Sequence, residues 1–218
     1  MGRGDLLFEL ARFVERISAI ARTGLAFSPT GFDAERYEEL LHEAARMRTA
    51  LESPQMPASE TIYRQWRDQV QPGYDGYVTA AVGCGAIVFN EQNELLMILR
   101  PSGRWWYPTG FCEVGVSPAE NVAREVREET GLLVHPVRLI GVTDSQKLGS
   151  PMRHIYSMLF YCQLTGGIPK PHPLEAFDIG FFPLDRLPEP LLGMNQKWKE
   201  LARQFHFEGR LEPYFDPL

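Results

Sequence analysis

Cysteine is scarce in this chain, and positive charge is in the minority. The 218 residues contain three cysteines, and 22 lysines and arginines stand against 28 aspartates and glutamates, a formal net charge of −6. Three separated thiols cannot build a disulfide framework, so we expect a reducing compartment. The acidic balance argues against nucleic acid as a general partner, and any anionic ligand must be met by local positive charge.

Long apolar runs are also lacking. A membrane-spanning helix needs about 18 or more consecutive apolar residues, and the sequence contains no such run. The first segment carries Asp5, Glu9 and Arg12 among its apolar residues, unlike a secretory signal. The five histidines share no zinc-ligand spacing. We therefore expect a cytoplasmic protein with no membrane partner and no zinc site.

The apolar residues, 44% of the chain, change their periodicity near residue 70. Before that point, helical spacing predicts helices at residues 6–20, 33–51 and 60–69. We expect an N-terminal helical domain at residues 1–70, a linker at 71–76 and a larger domain at 77–218. Two or three helices bury little core by themselves, so their apolar stripes should pack on the larger domain or on a second copy. The second option predicts a homodimer through the N-terminal helices.

The larger domain combines strands with a few helices. Apolar patterning predicts strands at residues 77–89, 94–100, 133–142 and 154–164, and a last helix at 195–205. Ser117 and Glu120 fit a capping box, Pro118 suits a first helical position, and Gly131 suits a left-handed C-cap. These signals predict a helix from Pro118 to Thr130, and the mixture predicts an α/β layered domain.

This capped helix carries Glu125, Glu128 and Glu129, whose spacing places three carboxylates within one turn. A solvated acidic face is the ordinary interpretation of such spacing. An aromatic strand end and a glycine-containing loop at residues 110–115 precede the helix, however, and the loop can turn backbone carbonyls toward the same carboxylates. Oxygen donors of this kind suit Mg²⁺ or Mn²⁺, with substrate phosphates sharing the metal.

The segment from Gly110 to Leu132 resembles the Nudix box, a 23-residue loop, helix and loop signature. Gly110 is followed after five residues by Val116, and seven residues later by the run Arg-Glu-Val-Arg-Glu-Glu-Thr-Gly-Leu that begins at Arg124. Every specified position agrees except Val116, where the family has glutamate. The resemblance covers about residues 77–198.

The resemblance implies a Nudix fold, which is a mixed β-sheet sandwiched between helices, and divalent-metal-dependent hydrolysis of a nucleoside diphosphate linked to another group. Glu125 and Glu129 would be the principal metal ligands, and Glu128 a further ligand or the group that orients water. The Thr109 carbonyl would be a backbone ligand, and Arg124 would be structural. The expected partner is therefore a nucleotide-derived small molecule.

Val116 bears on whether this is a working enzyme. In the family, the glutamate at this position pairs with the arginine that matches Arg124, which anchors the loop to the helix. Glu120 or Glu113 could pair with Arg124 instead. Because all three helix carboxylates are present, we favour an enzyme over a nucleotide-binding sensor with a weakened site. Action on RNA ends is a third possibility that the acidic composition disfavours.

Other residues are candidates for substrate contacts. Arg100, Arg104 and Lys147 could meet phosphates, and a solvated surface role is the alternative for each of them. Trp105 and Tyr107 could stack on a base, or could equally be packing residues. These five candidates lie in or after the predicted strands that flank the box.

Glu175 lies outside the box and is a candidate for substrate binding, for metal binding or for the general base, because the family often recruits such a residue. An exposed carboxylate without a role is the alternative. The N-terminal helices, Asp144 and Lys147 also resemble a narrower Nudix subfamily that includes hydrolases of CDP-choline and ADP-ribose. This second resemblance leaves the base and the linked group open.

Overall fold

The computed structural model describes residues 3–27, 30–51, 58–70, 79–113, 115–147, 154–193 and 196–217. The chain divides into two compact units, one of Met1–Ala80 with Ser150–His154 and the other of Ala81–Gly149 with Ile155–Leu218. The linker expected at residues 71–76 lies outside the described residues. No helix in the described ranges is both long and apolar enough to cross a membrane.

The first unit consists of the helices α1 (Arg3–Phe27), α2 (Gly31–Leu51) and α3 (Ser59–Arg67). The three predicted helices are confirmed, although α1 continues beyond Ile20 and α2 begins at Gly31. Leu25 of α1 and Leu41 of α2 are buried in the same small apolar core. A buried ion pair of 2.6 Å between Glu15 and Arg48 also joins the two helices.

Only part of the predicted apolar stripe on α1 lies inside this unit. Val14 is buried, whereas Leu6, Phe13 and Ile20 are exposed by 46%, 60% and 54%. These three residues recur every seven positions and so follow one side of the helix. The first unit therefore presents an apolar row on α1 in addition to its own core.

The second unit is built on a mixed sheet with the strand order β3-β2-β1-β6-β5-β8, in which β4 pairs with β1 and β7 pairs with β2. The central pair, β1 and β6, is parallel, and its neighbours β1–β2 and β5–β6 are antiparallel. The strands are β1 (Ala81–Phe89), β2 (Glu94–Leu99), β3 (Trp105–Trp106), β4 (Thr109–Phe111), β5 (Leu132–Asp144), β6 (Ile155–Gly167), β7 (Asp178–Pro183) and β8 (Tyr214–Phe215).

Both faces of this sheet are covered by helices, as the sequence predicts. Alternate residues of β1 point to opposite faces, and the strand is apolar on both. Ala86 and Val88 belong to the core under α4 (Pro118–Thr130), whereas Ile87 and Phe89 belong to the core under α5 (Lys197–Phe207). The expected fold, a mixed sheet sandwiched between helices with a small helical region before it, is therefore confirmed.

Several strand boundaries differ from the sequence prediction. Strand β1 begins at Ala81, because Thr79 and Ala80 are not in a strand and residues 77–78 lie outside the described ranges. The predicted glycine loop at 110–115 begins inside β4, where Gly110 pairs with Cys84 of β1. The strands β3, β4 and β8 were not predicted, because their two or three residues carry no periodicity of their own, and the six-residue strand β7 was also missed.

Candidate active site

Helix α4 has the boundaries that its sequence predicts. The Ser117 hydroxyl accepts from the Glu120 backbone N–H at 3.3 Å, and the Glu120 carboxylate accepts from the Ser117 backbone N–H at 3.0 Å. Gly131 closes the helix with a φ of 72°, a left-handed conformation that glycine adopts without strain. These local signals fix where the helix begins and ends, and hence which way its glutamates point.

Two of the three glutamates are buried, which sequence spacing did not predict. Glu125 and Glu129 are 9% and 1% exposed and share the inward face with Val122 and Val126, whereas Glu128 is exposed. The ordinary interpretation of this spacing, a solvated acidic face, is therefore wrong for Glu125 and Glu129. A buried carboxylate needs a counter-charge or several hydrogen bonds to offset its lost hydration.

Glu129 obtains both kinds of partner from preceding strands. Its Oε1 lies 2.7 Å from Nη1 of Arg100, at the end of β2, and its Oε2 accepts from the Thr109 backbone N–H at 3.0 Å. Burial nevertheless raises the pKa of Glu129 to about 7, against the opposing effects of the Arg100 charge and the Thr109 N–H. The carboxylate therefore holds its proton more tightly than a free glutamate does.

Glu125 lies directly against the backbone of β4. A Cβ placed on Gly110 would lie 2.1 Å from the Glu125 carboxyl carbon, so any other residue here would push the end of this side chain out of its position. Its Oε1 is 2.7 Å from Nη2 of Arg124. Burial is the largest influence on the Glu125 carboxyl and raises its pKa, while Arg124 opposes the rise.

Arg124 links the helix to the loop before it. Its Nη1 is 2.6 Å from Glu128, and its Nη2 is 3.2 Å from Glu113. Of the two alternatives for replacing the missing loop glutamate, the structure therefore favours Glu113, because Glu120 is engaged in the capping box. Within the described residues, the buried Nε of Arg124 has no hydrogen-bond partner.

Thr109 presents its carbonyl to the same site. Both its carbonyl oxygen and its hydroxyl accept from Nη2 of Arg100, at 3.0 and 2.6 Å. Pairing of Thr109 with Gly85 of β1 holds this strand in register. The predicted backbone ligand and the predicted ligand Glu129 thus share one arginine.

The donor chemistry fits a divalent cation. The carboxylates of Glu125 and Glu129 and the Thr109 carbonyl are the oxygen donors that Mg²⁺ and Mn²⁺ prefer. In the described part of the chain, however, no three side chains of histidine, cysteine, aspartate or glutamate converge on one metal position. The arrangement therefore offers two carboxylates and a backbone oxygen, with each carboxylate paired to an arginine.

Glu175 is exposed on a segment that is tied to the end of α4. The Lys170 N–H donates to the Thr130 carbonyl at 2.7 Å, and the His172 N–H donates to the Glu129 carbonyl at 3.1 Å. The Glu175 charge contributes to the raised pKa values of both Glu125 and Glu129. The charge of Glu175 therefore acts on both buried carboxylates, although this residue is distant from them in sequence.

The remaining candidates have different surroundings. Tyr107 is 7% exposed and packs on Trp198 with ring centroids 5.1 Å apart, which favours the packing alternative for its ring. Trp105 is half-buried against Phe182. Arg104 is exposed near the site, and its carbonyl accepts from the Arg100 N–H at 2.9 Å.

Lys147, at the far end of β5, is exposed, and its ammonium donates to the Pro217 carbonyl at 2.5 Å. This contact joins Lys147 to the C-terminal segment. The ammonium that was expected to meet a phosphate is therefore already hydrogen-bonded within the protein. The structure therefore places Lys147 at the C-terminal segment and not at the buried glutamates.

Sequence reasoning overlooked Asn121. This residue is fully buried in the first turns of α4. Its amide donates to the Phe111 carbonyl and its Oδ1 accepts from the Glu113 N–H, both at 3.1 Å. Asn121 therefore ties β4 and the following loop to the helix. An asparagine next to Val122 on the buried side of a helix was the available signal, since buried amides are normally hydrogen-bonded.

Two protein families match this sequence. The NUDIX domain matches residues 79–205, and a UDP-X-like, N-terminal oligomerisation domain matches residues 9–55. The Bacillus subtilis protein named "Putative ADP-ribose pyrophosphatase YjhB" is 38% identical over 195 residues, which cover 88% of this chain and 89% of that protein.

Solved structures agree over most of the chain. The crystal structure of a UDP-X diphosphatase is 27% identical, with a TM-score of 0.58, and the match covers 96% of this chain and 99% of that one. The crystal structure of an ADP-ribose pyrophosphatase from Streptococcus suis is 31% identical, with a TM-score of 0.56. The match covers 63% of this chain and 100% of that one. Both the helical and the sheet-containing parts of the sequence thus have solved counterparts.

Proposed function

Because the chain belongs to the Nudix family, we propose that it cleaves the pyrophosphate bond of a nucleoside diphosphate linked to another group, X, with Mg²⁺ or Mn²⁺ as cofactor. The products are a nucleoside monophosphate and phospho-X. The observation that carries this proposal is the buried pair Glu125 and Glu129, together with the Thr109 carbonyl that contacts the same arginine as Glu129. Carboxylate and carbonyl oxygens are the donors that Mg²⁺ and Mn²⁺ prefer.

In this proposal Glu125, Glu129 and the Thr109 carbonyl would hold the cation, and the exposed Glu128 would serve as a further ligand or orient water. A divalent cation in this position supplies positive charge to the pyrophosphate and acidifies a water nucleophile. Arg124 positions Glu125 and Glu128 through its two terminal nitrogens. Its role is therefore one of positioning.

Glu175 is the proposed general base. It is exposed, its segment is hydrogen-bonded to the end of α4, and its charge acts on Glu125 and Glu129. Accepting the proton of the attacking water requires an ionisable group within one hydrogen bond of that water. A solvent-accessible carboxylate whose charge acts on the buried pair satisfies the chemical part of this requirement.

Arg100 and Arg104 are the proposed phosphate contacts, since Arg100 follows β2 and contacts Thr109, and the Arg104 carbonyl accepts from the Arg100 N–H in the turn before β3. The half-buried Trp105 is the proposed platform for the base. Lys147 and Tyr107 are weaker members of this set because one is bound to the Pro217 carbonyl and the other is in the core. The names of two relatives that match most of this chain direct the choice of substrate to ADP-ribose and UDP-linked compounds.

We also propose a cytoplasmic homodimer in which the row Leu6, Phe13 and Ile20 of α1 packs against a second copy. Large apolar side chains repeated every seven residues are typical of helix pairing, and residues 9–55 match an oligomerisation domain. The proposed organisation is a helical domain at residues 1–70, a linker at 71–76 and a hydrolase domain at 77–218.

The test of the function is product release from ADP-ribose, UDP-sugars and CDP-choline, with Mg²⁺ and with Mn²⁺. Glu129→Gln, which keeps the size of the side chain, should fold normally and lose at least about a hundredfold in kcat, since a catalytic cation contributes several kcal/mol to the transition state. Glu91→Gln, an exposed change in the β1–β2 turn, is the matched control. Tight binding of these compounds without turnover by the natural protein would contradict the proposal.

A further inference from the structure

Asn121 makes four hydrogen bonds from a fully buried position on α4. Its amide nitrogen donates to the Phe111 carbonyl oxygen at 3.1 Å and to the Cys84 sulfur at 3.0 Å. Its Oδ1 accepts from the Glu113 N–H at 3.1 Å and from Nη2 of Arg124 at 3.0 Å. Because the nitrogen faces two acceptors and the oxygen faces two donors, these neighbours determine the orientation of the amide.

Two close neighbours of the Glu125 carboxylate are hydrogen-bonded to this amide. One is the Arg124 guanidinium, whose Nη2 is 2.7 Å from Oε1 of Glu125 and 3.0 Å from Oδ1 of Asn121. The other is strand β4 at Gly110, where a Cβ would lie 2.1 Å from the Glu125 carboxyl carbon. Asn121 holds the same strand through the carbonyl of Phe111, the next residue. One buried amide therefore fixes two of the contacts of Glu125.

Two other contacts of Arg124 are open to water. Both Glu113 and Glu128, which form ion pairs with it, are exposed, so solvent and salt compete with these pairs. The hydrogen bonds of Asn121 are shielded from that competition, because its side chain is buried. Without Asn121 the guanidinium would follow the two exposed glutamates and lose its fixed place beside Glu125.

We propose that Asn121 is a positioning residue, which holds the Arg124 guanidinium and strand β4 so that the Glu125 carboxylate keeps its place for binding the cation. This inference rests on the proposed function. Asn121 acts through its neighbours and need not contact metal or substrate. Groups that orient metal ligands in this way typically contribute about 10- to 100-fold in metal affinity or activity.

Three variants separate positioning from stability. Asn121→Leu keeps the approximate size of the side chain and loses all four hydrogen bonds. Asn121→Asp keeps the accepting oxygen and loses the donating nitrogen. Thr130→Val is the matched control, because it removes an equally buried polar group from the same helix. The Thr130 hydroxyl donates to the Val126 carbonyl, at the opposite end of α4 from the loop.

Mn²⁺ binding without nucleotide is measured by electron paramagnetic resonance, and turnover is measured with the same panel of nucleoside diphosphate compounds, well below the Tm of every variant. Asn121→Leu should lose about 10- to 100-fold both in Mn²⁺ affinity and in kcat. Asn121→Asp should lose less of both, since it keeps the acceptor for Arg124, although its Tm also falls. Thr130→Val should lower the Tm alone.

Equal Mn²⁺ affinity and kcat in Asn121→Leu and Thr130→Val overturn this inference and leave the proposed function standing, as does an Asn121→Asp variant that is as impaired as Asn121→Leu. A natural protein that binds Mn²⁺ and turns over none of the compounds overturns the proposed function, and the Mn²⁺ affinities of the variants then decide the inference. A natural protein that binds no Mn²⁺ overturns both.

The natural protein decides the inference if Asn121→Leu does not fold. The Glu113 amide, which donates to Asn121, should then exchange slowly with deuterated water when it is followed by nuclear magnetic resonance. Exchange of this amide as fast as in an unfolded peptide overturns the inference, because the loop would not be held by Asn121.

Discussion

The guanidinium of Arg124 lies 3.2 Å from the carboxylate of Glu113, three residues before the position at which the family carries its loop glutamate. This pair ties the loop to α4 in a chain that has Val116 at the family's position. The Glu113 side chain is 59% exposed, so the pair is worth about 0.2 to 1 kcal/mol. The loop is therefore anchored, although weakly.

Restoring the family's glutamate should stabilise this anchor. In Val116→Glu the new carboxylate can accept from the buried Nε of Arg124, which has no partner among the described residues. Satisfying a buried donor contributes about 1 kcal/mol, which corresponds to a rise in Tm of about 2 to 4 °C for a chain of this size. Val116→Gln is the size-matched neutral control. A lower Tm for the glutamate variant than for the glutamine variant would show that Arg124 cannot reach position 116.

Replacing Gly110 should disturb catalysis more than folding. In Gly110→Ala the new Cβ meets the Glu125 carboxyl at 2.1 Å, and the flexible end of that side chain must move away. Displacement of a catalytic group by about 1 Å can cost about a hundredfold in rate, so kcat should fall by about that factor while circular dichroism is unchanged. Gly83→Ala, whose nearest contact is the Gly110 carbonyl at 3.3 Å, is the control. Equal effects of both variants would contradict the special role of Gly110.

The stability of the metal-free protein should fall as pH rises through the range set by Glu129. Its pKa is about 7 in the folded protein against an ordinary value of 4.5, so the unfolded chain releases this proton first. The contribution of Glu129 to the free energy of unfolding is fully present below about pH 4.5. It is lost as the pH rises through about 7, a change on the order of 3 kcal/mol. Thermal unfolding in chelator should show this slope, and Glu129→Gln should flatten it. A slope that survives the substitution would assign the effect to other groups.

Replacing Glu175 should affect turnover and leave metal binding nearly unchanged. A general base contributes about 10² to 10⁴ in rate, so Glu175→Gln should lower kcat within that range. Mn²⁺ affinity should differ little from that of the natural protein. Glu91→Gln again serves as the exposed control. A normal kcat with weakened Mn²⁺ binding would identify Glu175 as a metal ligand instead.

A charge placed in the apolar row of α1 should separate the proposed dimer. Phe13→Glu would bury a carboxylate at the contact, which is costly without a partner, so light scattering after gel filtration should report a monomer. Arg16→Glu, an exposed change one turn away, should leave the dimer intact. A natural protein that is already monomeric at micromolar concentration would exclude this use of the row.

The local sequence by itself determined helix α4 and the identity of its acidic residues. Ser117, Pro118, Glu120 and Gly131 lie close together in the chain and act through contacts between near neighbours, so their signals can be interpreted without tertiary structure. The long strands β5 and β6 were also predictable from their apolar patterns. In contrast, Trp105 and Trp106 form β3 because β2 lies beside them.

The surroundings of the glutamates were decided by the tertiary structure. Helical periodicity relates Glu125 to Glu129, but it does not say that this face is turned inward and that Glu128 stays in water. Arg100 is 29 residues away from Glu129 in sequence, and it reaches the carboxylate because β2 and α4 converge at Thr109. Burial and a counter-charge from a distant strand set the pKa of a carboxylate, and both depend on packing that no local pattern encodes.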